Sequence, residues 1–278
     1  MSAPGPGCHR GVPFEEYHSW PYANASRLKL FHRRTPAHAR YDMTHPSGPS
    51  AALALGAATH QLILEGPEVF KAQNLIVPKL DKRTRDGKAA WAAFELEANG
   101  RTLLLESEHA RALGMISAIW AHPDASSILS GSGAGGKLNE VSLVWDEDGV
   151  RCKARIDALR MIGAHPYAVD LKTTEDASRE AFSKQLANLD YHLQAGFYAR
   201  GLRSCFHLDH FFSFVCVESS PPYEVRCWKL DPEDADLGER VAVELLMRWA
   251  ECERTGLWPG YPLGLEMISL PAWARKET

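Results

Sequence analysis

Hydrophobic residues follow two different periods along this chain, and the change falls near the glycine-rich run 131–136. Before it the spacing is helical. Leu28, Leu30 and Phe31 follow Ser26, an N-cap candidate, in a short helix that Pro36 should interrupt. Residues 45–50 read as a turn, with Ser50 capping a strongly apolar helix over residues 51–64 that stops at Gly66-Pro67. A short strand is expected over 74–78, a charged turn over 81–88, and helices over 88–98 and 107–120. Residues 1–24 are rich in Pro, Gly, His and Tyr, show little periodicity, and read as an irregular, frayed segment.

After the glycine-rich run the period is two. Glu140, Ser142 and Val144 alternate with Val141, Leu143 and Trp145, and Asp146 to Gly149 supplies a hairpin turn. The return strand sets Arg151, Lys153, Arg155 and Asp157 against Cys152, Ala154, Ile156 and Ala158. A third strand ends at Asp170-Leu171-Lys172. A helix over 179–202, strands over 209–217 and 223–230, a helix over 232–253 and an irregular tail complete the pattern. This order predicts an α/β fold, a mixed β-sheet flanked by helices on both faces. Residues 25–278 read as one domain, because 140–230 alone would leave one sheet face bare.

Composition narrows the picture. The 278 residues are 45% hydrophobic and 24% charged, with net charge −4, so any surface for nucleic acid must be a local basic patch. The cysteines at 8, 152, 205, 216, 227 and 252 form no C-x-x-C pair, which excludes the usual zinc and iron–sulfur spacings. They read as reduced thiols of a cytoplasmic protein. No apolar stretch is long enough to cross a bilayer, and the N-terminus has no apolar signal region.

The candidate chemistry is the pattern D-x12-D-x-K, formed by Asp157, Asp170 and Lys172. On a strand, Asp170 and Lys172 project together while Val169 and Leu171 face the other way. Two carboxylates and an ammonium group can hold a hard cation and manage a water, as in metal-assisted phosphodiester hydrolysis. The same three residues could also be the solvated end of a strand. Glu140 is either a third carboxylate of the site or an exposed strand residue. His60, on the apolar helix, is either a core histidine or a neutral imidazole ligand, and Gly56, Ala57 and Ala58 would let that helix approach the sheet. Gln194 and Tyr198 share a helix face, from which they could support Lys172 or simply pack. Two basic clusters offer phosphate contacts or solvated faces: Lys79, Lys82, Arg83, Arg85 and Lys88, and Arg27, Lys29, Arg33 and Arg34 beside Ser26 at a helix start.

Together these blocks resemble the PD-(D/E)xK nuclease superfamily, and more closely the RecE-type exonucleases of prophages, relatives of the RecB nuclease domain and phage lambda exonuclease. The likeness runs from about Tyr17 to Tyr198. It is carried by Tyr17-His18, Ser26-Arg27-Leu28 with Thr35-Pro36-Ala37-His38, and Gly56-Ala57-Ala58-Thr59-His60. It continues through Asp81 to Lys88 with Trp91, Glu140-Val141-Ser142 with Trp145, Cys152 to Asp157, Val169 to Thr174, and Gln194 with Tyr198. Ile156 stands where the family commonly has proline, and Asp170 takes the position that is aspartate or glutamate.

The resemblance implies a restriction-endonuclease-like sheet. It implies that His60, Asp157, Asp170 and the Leu171 carbonyl bind Mg²⁺, with Mn²⁺ as a substitute. Lys172 would activate water, Glu140 would flank the site, and Gln194 and Tyr198 would support Lys172 and the scissile strand. The implied activity is 5′ to 3′ digestion of linear double-stranded DNA, leaving 3′ single-stranded tails for recombination. The implied partners are a single-strand annealing protein and further copies in a ring.

Overall fold

The computed structural model describes residues 3–45, 51–131, 138–162, 165–270 and 275. The expected cap Ser50 and the glycines at 133, 135 and 136 lie outside them.

The chain opens with strand β1 (Gly7–His9) and helix α1 (Phe14–Ser19). Helices α2 (Ala25–Arg33), α3 (Pro36–Thr44) and α4 (Ala51–His60) follow. A π-helical turn over Gln61–Glu65 extends α4, and α5 (Pro67–Gln73) leads into β2 (Asn74–Val77). Next come α6 (Arg85–Ala98), β3 (Thr102–Leu105), α7 (Glu106–Ala121) and α8 (Pro123–Ser130). The central strands are β4 (Leu138–Glu147), β5 (Val150–Ile162) and β6 (His165–Thr174). The order closes with α9 (Arg179–Asn188), α10 (Tyr191–Phe206), β7 (Phe211–Glu218), β8 (Val225–Lys229) and α11 (Pro232–Thr255).

The six-stranded sheet runs β1-β4-β5-β6-β7-β8, and β2 pairs with β3 in a small parallel sheet. Within the large sheet β6 and β7 are parallel and the other pairs antiparallel. The parallel pair requires a crossover, which α9 and α10 supply. One face packs Val141, Leu143, Trp145, Ala154 and Phe214 against α2, α9, α10 and α11. The other packs Val169, Leu171, Val215 and Val217 against α4, α7 and α8. This is the mixed sheet covered on both faces that the sequence pattern predicts, an α/β fold.

Local chemistry sets the boundaries. Asn24, Thr84, His122, Ser178 and Asp231 each accept a backbone N–H at a helix start. Pro36, Pro67, Pro123 and Pro232 occupy the first helical turn. Asp148 and Gly149, both at positive φ, close the β4–β5 hairpin.

Two expectations are corrected. The segment before α2 is not irregular throughout, since β1 pairs with β4 and α1 packs over β5. Their anchor is Lys153, whose buried Nζ donates to the carbonyls of Tyr17 (2.7 Å), His18 (3.1 Å) and Trp20 (2.6 Å). Lys153 and Arg155 of the cation row on β5 are therefore buried, while Arg151 pairs with Asp146 at the surface. As expected, α2 ends at Arg33 ahead of Pro36, which then opens α3 with Thr35 before it. The helix expected over 179–202 is two helices, because Asp190 takes a left-handed conformation (φ 48°) and its carboxylate accepts from Arg33 Nε at 2.5 Å.

Helices α10 and α11 touch backbone to backbone. A Cβ on Gly238 would lie 1.9 Å from the His192 carbonyl oxygen, and one on Gly196 would lie 2.2 Å from Glu239 N. Gly238→Ala should therefore push the helices apart and cost about 2 kcal/mol or more. Thermal unfolding should show a Tm lower by roughly 4 °C or more. Gly260→Ala, with open space around the added carbon, should leave Tm unchanged.

Candidate metal centre

The site is built where the regular pleat of β4 and β5 breaks. Asn139 pairs with Ala158 and Val141 with Ile156, which brackets Glu140 opposite Asp157. Ala158 pairs with Val169, and one further step along the ladder sets Asp157 opposite Asp170. Glu140 has φ 51°, a left-handed conformation rarely adopted by a glutamate. The alternation slips there: Ile156 belongs to one hydrophobic cluster, Ala158 to the other, and Leu159 again to the first. Three carboxylates thus stand at one level across three neighbouring strands.

His60 ends α4 where the helix widens into the π-helical turn, a feature common at functional sites. Close approach of α4 to the sheet is possible because a Cβ on Gly56 would sit only 3.3 Å from Thr173 Oγ1, and Ala58 is fully buried. His60 Nδ1 lies 3.5 Å from Asp157 Oδ2, which also accepts from Leu171 N at 2.7 Å. One donor atom from each of His60, Glu140 and Asp157 falls within 4.8 Å of the others, the spacing of a cation cage. Asp170 stands beside this triad rather than within it. Its Oδ1 accepts from Gln194 Nε2 at 2.8 Å. Its buried Oδ2 is 2.6 Å from Lys172 Nζ and has no partner of hydrogen-bond geometry among the described residues.

The electrostatics follow from burying like charges. Burial and then the Asp170 carboxylate push Asp157 up to about 7. Burial and then Asp157 push Glu140 up to about 7, against the pull of Arg155, with which it is ion-paired. Arg155 also donates to the Val12 carbonyl at 2.7 Å and lies 3.6 Å from Glu65. Burial lowers His60 and keeps its imidazole neutral, the form that ligates metal. Burial pulls Lys172 down, but Asp170, Tyr191 and Asp157 outweigh it and hold the ammonium form. Tyr198 is held protonated by burial, then by Tyr17, Asp170, Asp157 and Glu140.

These residues fit a divalent cation. A buried carboxylate oxygen whose close partner is the Lys172 ammonium, two carboxylates pushed up by burial and by neighbouring carboxylates, and a neutral imidazole are an acceptor-rich set.

The remaining expected positions are scattered. Ser26 is exposed and does not cap α2, because Asn24 does. Arg27 turns back to donate to the Tyr22 carbonyl at 2.8 Å, holding the N-terminal segment. Arg83, Arg85 and Lys88 are exposed on the turn and first turn of α6, which packs on the small sheet. Arg83 pairs there with Asp81 at 3.0 Å. Two site neighbours escaped sequence reasoning. Lys29, expected on a surface patch, points inward to Gln194 Oε1 at 2.8 Å, and burial followed by Lys172 lowers it to about 7. Tyr191 lies beneath both lysines, 4.8 Å from Lys29 Nζ and 4.6 Å from Lys172 Nζ. The available signal was its spacing, three residues before Gln194 on the same helix face.

Asp157 and Glu140 bind protons more tightly folded than unfolded. From about pH 4 to pH 7 the folded state holds the extra protons, so their contribution to stability declines as pH rises through that window. A divalent cation replaces those protons and should stabilise more at high pH. The Tm gain on adding Mn²⁺ after chelator treatment should be larger at about pH 7.5 than at about pH 5.5, and Asp157→Asn should reduce the gain. Equal gains at both pH values would count against this charge balance.

No curated protein matches this chain with significance. A solved structure described as "Putative exonuclease" from Eubacterium rectale is similar at TM-score 0.66 and 14% identity, covering 94% of this chain and 97% of that one. This likeness shows the fold. Another, SSO0001, aligns at TM-score 0.35 and 13% identity over 84% of this chain and 81% of that one. The profile of the family described as "PDDEXK-like domain of unknown function (DUF3799)" matches residues 24–270, beyond Tyr198 and through α11. Breadth of match and a six-stranded sheet carrying Asp157, Asp170 and Lys172 agree: the chain belongs to this PDDEXK-like family.

Proposed function

We propose that this protein is a metal-dependent exodeoxyribonuclease acting on linear double-stranded DNA. The observation that carries the reading is the convergence of Glu140, Asp157 and Asp170 on three adjacent strands, with Lys172 Nζ 2.6 Å from Asp170 Oδ2 and His60 at the rim. Mg²⁺, or Mn²⁺ in its place, would be held by His60, Asp157 and Glu140, whose donor atoms lie within 4.8 Å of one another, with Asp170 and the Leu171 carbonyl offered from the adjoining strand. When bound it supplies positive charge against the phosphate oxygens and makes nearby water more acidic.

The chain's own groups do the rest. Lys172 carries its proton at the edge of Asp170, where an ammonium group orients water and stabilises negative charge developing on a phosphate. Gln194 holds Asp170 by one oxygen and leaves the other for the reaction centre. Tyr198 is kept protonated by burial and by the neighbouring Tyr17 and carboxylates, so its phenol remains a hydrogen-bond donor. Glu140 is held beside the site by its ion pair with Arg155.

The RecE-type resemblance supports 5′ to 3′ polarity, 3′ single-stranded products, a ring of copies, and a single-strand annealing protein as partner in recombination. Arg83, Arg85 and Lys88, with Lys82 stacked 3.0 Å over the Trp91 ring, form the exposed basic turn assigned to the DNA backbone.

A digestion time course with 5′- or 3′-labelled linear duplex and a covalently closed circle tests the reading, with Mg²⁺ and with chelator. Loss of the 5′ label from linear DNA alone, abolished by chelator, is expected. Asp170→Asn and Lys172→Ala should each lower the rate by about 10²-fold or more. Cutting of the circle would make the protein an endonuclease. Chelator-insensitive binding with no hydrolysis would make it a DNA-binding scaffold. Replacing Arg83, Arg85 and Lys88 by alanine should flatten the dependence of log affinity on log salt by roughly one unit for each phosphate no longer neutralised.

A further inference from the structure

Lys29 lies 165 residues from Gln194 in sequence, yet its Nζ donates to the Gln194 side-chain oxygen at 2.8 Å. The amide of Gln194 has one accepting end and one donating end. With the oxygen engaged by an ammonium group, the nitrogen is the end that meets Asp170, and it donates to Oδ1 at 2.8 Å. The opposite orientation would set an NH₂ against an ammonium and an amide oxygen against a carboxylate. Both contacts would then be repulsive, so charge alone selects the observed orientation. The consequence reaches the reaction centre. Asp170 is gripped by Oδ1, and its buried Oδ2 stays turned toward Lys172 with no hydrogen bond of its own among the described residues. The ring of Tyr191 closes the arrangement, because Lys29 and Lys172 both sit over it.

We propose that Lys29 is a positioning residue of the hydrolytic centre, acting through Gln194 to fix the oxygen that Asp170 presents. The proposal rests on the nuclease reading above and deepens it. Lys29 comes from α2, outside the sheet and outside the D-x12-D-x-K pattern. It contacts neither Asp170 nor any of the cation-cage residues by hydrogen bond among the described residues; its effect passes through the amide.

The test is a double-mutant cycle of Lys29→Met and Gln194→Ala, read in two ways. The first is steady-state hydrolysis of linear duplex with Mn²⁺. Lys29→Met should lower kcat by about tenfold while KM for DNA stays within about twofold, and in the Gln194→Ala background it should add less than about threefold. The second is binding of Mn²⁺ alone, followed by water-proton relaxation, which needs no turnover. Both single variants and the double variant should weaken Mn²⁺ binding to the same extent. Equal kcat losses in both backgrounds would overturn the proposal, as would an unchanged kcat. A loss confined to KM would make Lys29 a direct contact to DNA phosphate and overturn it too. Tighter Mn²⁺ binding in Lys29→Met would show that Lys29 acts only as a repelling charge, against the proposal.

Lys29→Arg guards against a failure of the Met variant to fold, since it keeps a cationic donor beside Gln194. It should retain more kcat than Lys29→Met, and a folded Arg variant as impaired as the Met variant would also overturn the proposal. If the unaltered protein hydrolyses no DNA, the nuclease reading fails, and the Mn²⁺ arm still decides whether Lys29 and Gln194 act as a unit on the carboxylate centre.

Discussion

Three carboxylates facing one another across adjacent strands are the constraint around which the molecule is organised. Glu140, Asp157 and Asp170 repel one another where Asp170 is buried and the other two are only partly open to solvent. Each is restrained by different partners. Arg155 holds Glu140, the Leu171 amide and His60 hold Asp157, and Gln194 with Lys172 holds Asp170. A buried charge cluster of this kind opposes folding unless such partners are fixed in place. The same crowding of carboxylates makes the cluster receptive to a divalent cation. Stability and receptivity are two sides of one electrostatic imbalance.

Positioning those partners explains much of the surrounding architecture. The N-terminal segment matters because Val12 and the carbonyls at the end of α1 hold Arg155 and Lys153 against β5. Helix α4 must come close enough for His60 to reach Asp157, hence the small residues Gly56 and Ala58 at its contact with the sheet. Helix α10 must present Gln194 and Tyr191 inward while lying flat against α11, hence Gly196 and Gly238 at the crossing. Asp190 breaks the preceding helix and ties the start of α10 to Arg33 on α2. That tie holds α2 beside α10, and Lys29 reaches Gln194 across the same contact.

Much of the fold is legible in the sequence because period and punctuation are local properties. The period-two run of β4 and β5, the Asp-Gly turn and the long amphipathic α11 are all written within single segments. The short elements β1, β3 and α1 are not, since they have too few residues to show a period and are defined by their partners. For the centre, the D-x12-D-x-K spacing points to the strands that carry Asp157, Asp170 and Lys172. It does not disclose that the pleat slips at Glu140, because a left-handed glutamate is imposed by tertiary packing. Nor does it separate a cation that faces water from one that turns inward. Arg83 and Lys29 both sit in basic runs, yet Arg83 is exposed and Lys29 lies against Tyr191.

Lys153 has a consequence for how the chain is assembled. Its three carbonyl partners lie 133 to 136 residues earlier, and β1 pairs with β4 over a comparable separation. During synthesis β1 has no partner until β4, more than 130 residues later, has also been made. Contacts of such high sequence separation carry a large loop-closure entropy and slow folding. Wherever β1 is not yet seated, β4 presents an open sheet edge.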